Sequence, residues 1–455
     1  MKSIKYILAV AALAISAISI NAQHTMSGYF IDGYMYRHQI NPAIGNGQNY
    51  ISFPALGNLN FGVRGSLDLE DYLYNINGKT TTFLNPSVDA GEFLGNIDDE
   101  NNLNFNTTIQ ILSAGFKGFG GYNTIGLNMR TNVYTMLPKS LFQFAKEGLS
   151  NKTYDISDFD MHANAYAEIA LGHSRNINEK LRVGVNLKFL VGLANIDAEF
   201  NKAQINLGAD KWTAVTNARI QASVKGLTYL TEVSENTGKP YVNDLDIDGF
   251  GINGFGLAAD LGAEYKLNDS WSFGASLLDL GFISWDNNML ATTNGDKRFS
   301  TDDYKFSFDD NNSNNFEDEL DRLSDGLVGL YELDNAGDQG KRKKTLAATL
   351  NLAAEYTLPV YDRLKFGALS TTRFQGEYTW TEFRLSANVA PLKCLSAGVN
   401  FAAGTYGAGL GWMLNFHPAG FNLFVGMDRV LGKVTEEFIP LSSNASLNIG
   451  LNIPF

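Results

Sequence analysis

Apolar and polar residues alternate with period two in many short runs along this chain. The last run is the clearest: Leu447, Ile449, Leu451, Ile453 and Phe455 alternate with Ser446, Asn448, Gly450, Asn452 and Pro454. A β-strand points successive side chains to opposite faces, so this pattern predicts a strand with one apolar and one polar face. Val183, Val185, Leu187, Phe189, Val191 and Leu193 alternate in the same way with Arg182, Gly184, Asn186 and Lys188. Phe255, Leu257, Ala259, Leu261, Ala263 and Tyr265 do so with Gly256, Asp260, Gly262, Glu264 and Lys266, and Phe383, Leu385, Ala387 and Val389 with Glu382, Arg384, Ser386 and Asn388. A soluble sandwich also buries one face, but it seldom carries so many long runs with ionisable residues between the apolar ones. The pattern predicts strands with lipid on one side and a wet lumen on the other.

The runs begin near Tyr50, Asn104, Tyr122, Met161, Leu181, Gly254, Trp271, Thr345, Leu364, Thr381, Leu395, Thr405, Phe421 and Asn444, fourteen in all. An even number closes an antiparallel barrel with both termini on one side, the periplasm. The connections 118–121, 176–180, 268–270, 359–363 and 417–420 are short and turn-like, whereas 67–103, 137–160, 198–253 and 286–344 are long and fall on the opposite side. The predicted fold is all-β: a closed antiparallel transmembrane β-barrel of about 14 strands, with long extracellular loops carrying short helices.

The first residues set the compartment. Lys2 and Lys5 precede an apolar run from Tyr6 to Ile18, and Ser19-Ile20-Asn21-Ala22 leads to polar Gln23. This is the layout of a secretory signal peptide, residues 1–22, and the run is too short to cross a bilayer as a helix. The formal charge of −13 becomes −15 without Lys2 and Lys5, which argues against a nucleic-acid partner. The single Cys394 leaves no internal disulfide.

Gln39-Ile40-Asn41-Pro42-Ala43, followed by the run from Tyr50 to Asn58, resembles the opening of a family of uncharacterised outer-membrane barrels. Asn41-Pro42-Ala43 in that place is also similar to the long-chain fatty-acid transporter superfamily and its relatives, including the barrel that serves type IX secretion. The run from Ser276 to Trp285 looks like a strand of these families, and the similarity of layout covers essentially the whole mature chain. The resemblance implies a 14-strand barrel, here 50–455, whose N-terminal segment 23–49 folds inward as a plug. In the transporters the plug and a lateral opening guide hydrophobic molecules. Pro42 and Gly28, Gly33, Gly45 and Gly47 agree, since they disfavour a strand in that segment.

The lumen phase holds Arg64, Arg130, Glu168, Arg182, Lys188, Asp260, Glu264, Glu355, Arg373, Glu382 and Arg384. Mixed signs at this density form no greasy stripe and most simply make an ion-pair network that fills the bore. Tyr122, Tyr134, Trp271, Phe282, Trp285, Tyr356, Tyr378, Trp380, Trp412 and Phe416 stand near strand ends, where interfacial girdles are expected. In the loop 286–344, Asp310, Asn312, Asn314, Asp318 and Asp321 fall at the ligand spacing of a calcium loop. Asn315 stands where glycine normally makes the turn, and Asp321 replaces the long bidentate Glu, so a solvated turn is the plainer reading. Phe316, Leu320, Leu323, Leu327 and Tyr331 recur at helical spacing, and Leu141, Phe142, Phe144, Ala145 and Leu149 suggest another loop helix that packs.

The basic run Lys341-Arg342-Lys343-Lys344 can meet anionic lipopolysaccharide or, as the plainer reading, the acidic part of its own loop. His162, in lumen phase, can pair with Glu168 or a neighbour. Catalytic constellations are missing from the sequence, as is any cofactor motif other than the calcium spacing. The expectation is an outer-membrane barrel that is no enzyme: a plugged channel or transporter-like barrel for small molecules, apolar ones included. The alternative is a scaffold whose outer loops hold a surface or secretion protein. Membrane lipid and the barrel-insertion machinery, reading the last strand at Phe455, are the remaining expected partners.

Overall fold

The structure, a computed structural model, describes residues 25–455 except 67–68, 77–78, 148–151, 209, 235–236, 304–321, 323–325, 327–328, 331 and 431–443. The leader 1–22, the calcium spacing Asp310, Asn312, Asn314, Asp318 and Asp321, and the helical spacing from Phe316 to Tyr331 lie outside the described residues.

Fourteen staves close into one antiparallel barrel. They are β1 (Tyr50–Ser52 continued by Asn58–Gly65), β2 (Glu100–Gly118), β3 (Gly121–Pro138), β4 (Asp160–Asn176), β5 (Leu181–Leu207), β6 (Gly254–Lys266) and β7 (Trp271–Trp285). The circle continues with β8 (Arg342–Thr345 and Thr349–Thr357), β9 (Leu364–Arg373), β10 (Trp380–Leu392), β11 (Leu395–Gly404), β12 (Gly407–Phe416), β13 (Asn422–Met427) and β14 (Ala445–Pro454). β14 pairs back onto β1, with Ile51 opposite Ile453 and Leu59 opposite Ile449, so the sheet has no free edge among its staves. Closure satisfies every backbone ladder internally, which lipid demands.

The outer surface is apolar and the inner face polar. Leu187, Phe189, Phe255, Leu257, Phe383, Leu385, Val399 and Phe401 are exposed, whereas Asn60, Asn448, Asn452, Glu382 and Arg384 are buried. In water this would be an inverted protein; in a bilayer it is the stable arrangement.

Short turns gather at one end. Between β2 and β3, Gly118 faces Gly121 across Phe119 (φ 54°) and Gly120 (φ 73°), the two positive φ values of a twisted two-residue hairpin. At the other end the long connections carry short helices, as expected, at Ala90–Gly95 and Lys139–Glu147, while those that follow β5 and β7 are largely β among the described residues. β5 runs on to Leu207 and pairs with a strand Trp212–Val224, which pairs in turn with Asn288–Thr292 and Lys297–Ser300. Asp334–Asp338 adds to Asn288–Thr292, and Leu227–Val233 forms a separate hairpin with Pro240–Ile247. Helices here are few among the described residues. Lys139–Glu147 buries Phe142 against Val88 and Phe93 of the neighbouring connection, the packing role expected of it.

Several aromatics assigned to a girdle turn inward instead: Tyr122, Tyr134, Trp285, Tyr378 and Trp380 are buried. Trp271 and Phe416 are exposed at the short-turn end, as an interfacial anchor would be. The period-two pattern identifies a face, but at strand ends it does not tell lipid from lumen.

Candidate functional site: the lumen

Residues 25–49 form two short 3-10 turns, Met26–Gly28 and Arg37–Gln39, and no strand. Their large side chains are buried within the barrel. Ile31, Tyr34, Met35 and Tyr36 pack with Tyr50, Met413 and Phe424, and Met26, Tyr29, Phe30, Ile40 and Ile44 pack with Leu369. Met413, Phe424 and Leu369 are the apolar patches that the inner wall offers them.

Polar wall residues hold the backbone of the segment. Ser276 Oγ and Asn351 Nδ2 donate to the Ile40 carbonyl at 2.6 and 3.2 Å, Asn415 to that of Asp32 at 3.2 Å, and Asn422 to that of Gly33 at 3.1 Å. Asp428 accepts the N–H of Met26 at 3.0 Å and of Ser27 at 2.6 Å, and Thr25 Oγ1 donates to Asn60 at 2.8 Å. A segment without ladders needs such partners, because buried N–H and C=O groups left unpaired are costly.

Asn41-Pro42-Ala43 meets the wall where it has no side chains. Gly262 of β6 lies opposite Gly184 of β5. A Cβ on Gly184 would stand 2.1 Å from the Pro42 carbonyl oxygen, and one on Gly262 would stand 2.2 Å from Asn41 Oδ1. Asn41 completes the fit, donating to Ala263 O and Tyr29 OH at 3.1 Å each and accepting from Ala43 N at 3.0 Å.

The lumen-phase charges gather into clusters. In the first, Arg130 meets Asp279 through two bonds of 2.8 and 2.9 Å and Glu168 at 2.9 Å. Lys188 lies 2.6 Å from Asp279 and 2.8 Å from Asp260. In the second, Glu382 binds Arg384 at 2.6 Å and Arg429 at 3.0 Å, with Arg64 at 3.9 Å and stacked over Trp380 at 4.2 Å. Arg384 reaches Ser27 Oγ at 3.3 Å, so this cluster also touches the N-terminal segment.

The remaining sequence candidates lie at other points of the lumen. Arg182 donates to Ser174 at 3.0 Å beside Gly45, and Glu355 pairs with Lys365 at 3.7 Å near the short-turn end. Glu264 is half-buried near the end of β6. Arg373 donates to Gln375 at 2.5 Å and lies 3.4 Å from Asn132 Oδ1 and Tyr134 OH. Sequence reading missed Asp279, Asp428 and Arg429. Asp279 sits at φ 60° in an irregularity where Ala259 and Leu261 of β6 face Leu280 and Leu277, so the alternation slips there.

A third cluster gathers His162 and part of the basic run 341–344 around Asp197. His162 bonds Asp197 and lies 3.8 Å from Asp160, not Glu168. Arg342 and Lys344 also converge on Asp197, a residue of β5 rather than of their own loop, while Lys341 pairs with Asp286 at 3.3 Å. This cluster borders a cavity of about 360 Å³ toward the end with the long connections.

Residues 42–428 match a family of unknown function, DUF5723. The chain belongs to that family. No curated protein matches it in sequence. Among solved structures, the toluene transporter TbuX of Ralstonia pickettii is 8% identical, with 91% of this chain and 90% of that chain covered at a TM-score of 0.43. The toluene transporter TodX of P. putida is 10% identical over 95% and 93%, TM-score 0.40. A Pseudomonas aeruginosa FadL homologue is 10% identical over 96% and 97%, TM-score 0.38.

Proposed function

We propose that this protein is an outer-membrane channel for small molecules, held shut in the state described by residues 25–49 acting as a plug. The supporting observation is the hydrogen bonding of that segment to side or main chains of β1, β6 to β8 and β11 to β14. The apolar belt and the leader-like start support the outer membrane as its site, with the short turns and both termini in the periplasm. Phe455, exposed at the end of β14, is suited to recognition by the insertion machinery.

The test is solute entry into proteoliposomes. The mature chain should admit small sugars slowly, and a chain lacking 25–49 but still showing a folded barrel's heat-dependent gel shift should admit them quickly. Equal rates in the two would remove the plug reading.

A scaffold role is the second reading, favoured by the β-sheet that continues past the barrel through Trp212–Val224 and Asn288–Thr292. It predicts a surface protein that co-purifies and is lost when the hairpin 227–247 is replaced by a turn.

A further inference from the structure

On the outer wall near the short-turn end, β4 to β6 border an open cleft of about 450 Å³. His173, Arg175, Val183, Val185 and Leu261 line it together with Gly184 and Gly262. The register sets them side by side: Arg175 is opposite Val183, and His173 is opposite Val185, with Leu261 beyond it on β6. Their side chains are in lipid phase. Ile169 and Leu171, which precede His173 and Arg175 at steps of two, are exposed, whereas Ser174 between those two is buried.

The depth of Arg175 is that of the membrane interface. The next lipid-facing row toward the turns holds Tyr265 opposite Phe273, both exposed, with the Trp271 ring stacked on Phe273 at 6.2 Å. Such a row of aromatics marks the headgroup level. One row inside it, a guanidinium facing lipid is costly unless an anion meets it.

The protein does not supply that anion. The exposed side chain of Arg175 makes no hydrogen bond or ion pair among the described residues. Lys266, at the same end, is by contrast paired with Asp269 at 2.9 Å. His173 is also answered within the wall: its Nδ1 lies 2.9 Å from Asn123 Oδ1, and the Asn123 amide nitrogen donates to the Gly118 carbonyl at 2.9 Å.

A phosphodiester at headgroup level accepts hydrogen bonds from the planar fork of an arginine. Below it, Val183, Val185 and Leu261 offer an acyl chain an apolar path, which exposed Leu187, Phe189 and Leu257 continue toward the middle of the wall. A soluble anion has no tail for that path, and a neutral lipid has no charge for Arg175. We propose that this cleft holds one phospholipid of the leaflet at the short-turn end, its phosphate on Arg175 and an acyl chain along Val183, Val185 and Leu261. The topology proposed above makes that leaflet the periplasmic one. The site itself depends neither on that topology nor on whether the bore conducts.

Native mass spectrometry of the mature protein, released from tetraethylene glycol octyl ether micelles, tests this. The added probes are palmitoyl-oleoyl phosphatidylethanolamine, the matching diacylglycerol and palmitate. One phosphatidylethanolamine per barrel should survive activation that strips the other two. Arg175→Gln should weaken its retention about fivefold to tenfold, since one basic group near the surface is at stake. Arg175→Lys, which keeps the charge, should keep most of it, and Lys266→Gln should leave it unchanged, all with the parent's gel shift. Undiminished retention by Arg175→Gln overturns the proposal, as does an equal loss in Lys266→Gln or in Arg175→Lys. Diacylglycerol or palmitate held as firmly as phosphatidylethanolamine overturns it too.

Discussion

The carboxylate of Asp428 accepts the backbone N–H of Ser27 at 2.6 Å, joining the end of β13 to the segment 25–49. It accepts Met26 N–H as well, and Arg384 Nη1 lies 3.8 Å from it. A charged acceptor on two buried N–H groups is worth about 1.5–3 kcal/mol per bond when intact. Asp428→Ala should therefore loosen residues 25–49 without unfolding the barrel. The expected outcome is faster solute entry into proteoliposomes and faster protease cleavage near Met26, with an unchanged gel shift.

The close approach of Asn41-Pro42-Ala43 to Gly184 and Gly262 leaves no space for a side chain. Gly262→Val places carbon 2.2 Å from Asn41 Oδ1, a side-chain oxygen held by the Ala43 N–H, and 2.8 Å from the backbone nitrogen of Ala43. Residues 41–43 must move, since valine suits a barrel strand. Limited proteolysis should cut 25–49 in this variant and spare it in the parent; equal protection would show that the segment lies elsewhere.

Much of this architecture was legible from period two alone. The runs beginning at Tyr50, Leu181, Gly254, Trp271, Leu364 and Leu395 start where β1, β5, β6, β7, β9 and β11 start. Arg130, Glu168, Lys188, Asp260, Glu382 and Arg384 are buried on the inner face, as their phase requires. The reading weakened wherever alternation was interrupted. Asp279 follows two leucines at an irregular register, and Asp428 and Arg429 lie past the last paired residue of β13. The polar outer strands, such as Trp212–Val224, carry no lipid face, so nothing in their hydropathy separated them from loop.

Nor did periodicity show how Arg130 and Asp279 meet across 149 residues of sequence. Removing one member of a buried pair strands the other, at about 3–5 kcal/mol. Arg130→Met should lower the temperature of the barrel's gel-shift transition, because Asp279 then loses its two hydrogen bonds from the guanidinium. Arg130→Met with Asp279→Leu should recover much of that loss. A double variant as unstable as the two singles combined would mean that the pair contributes no coupling.

His38 gives the seating of residues 25–49 a pH dependence. Its ring is buried, with Nδ1 3.0 Å from the Met35 carbonyl, beside the Tyr36 and Tyr50 rings. Across a small gap it faces Glu168, Lys188 and Asp260. Burial lowers its pKa to about 4, against an ordinary value of 6.5. A displaced, solvated His38 thus takes up a proton below pH 6.5 while the seated one does not until about pH 4. Seating is favoured fully above that window and weakens as the pH falls through it, by a few kcal/mol in all at about 1.4 kcal/mol per unit. Solute entry should rise between pH 6.5 and 4 in the parent, and His38→Gln should flatten that rise.

The central claim is a wall whose greasy side faces lipid and whose polar side is covered by residues 25–49. Cysteine scanning along β14, in a Cys394→Ser background, tests both halves at once. Cysteines at Leu447, Ile449 and Ile453 should react with a membrane-dissolved maleimide, and those at Asn448 and Asn452 with neither that reagent nor a water-soluble one. Adding Asp428→Ala should let the water-soluble reagent reach Asn448 and Asn452. Ready labelling of those two positions from water in the parent, or of Ile449 from water rather than lipid, would contradict the account.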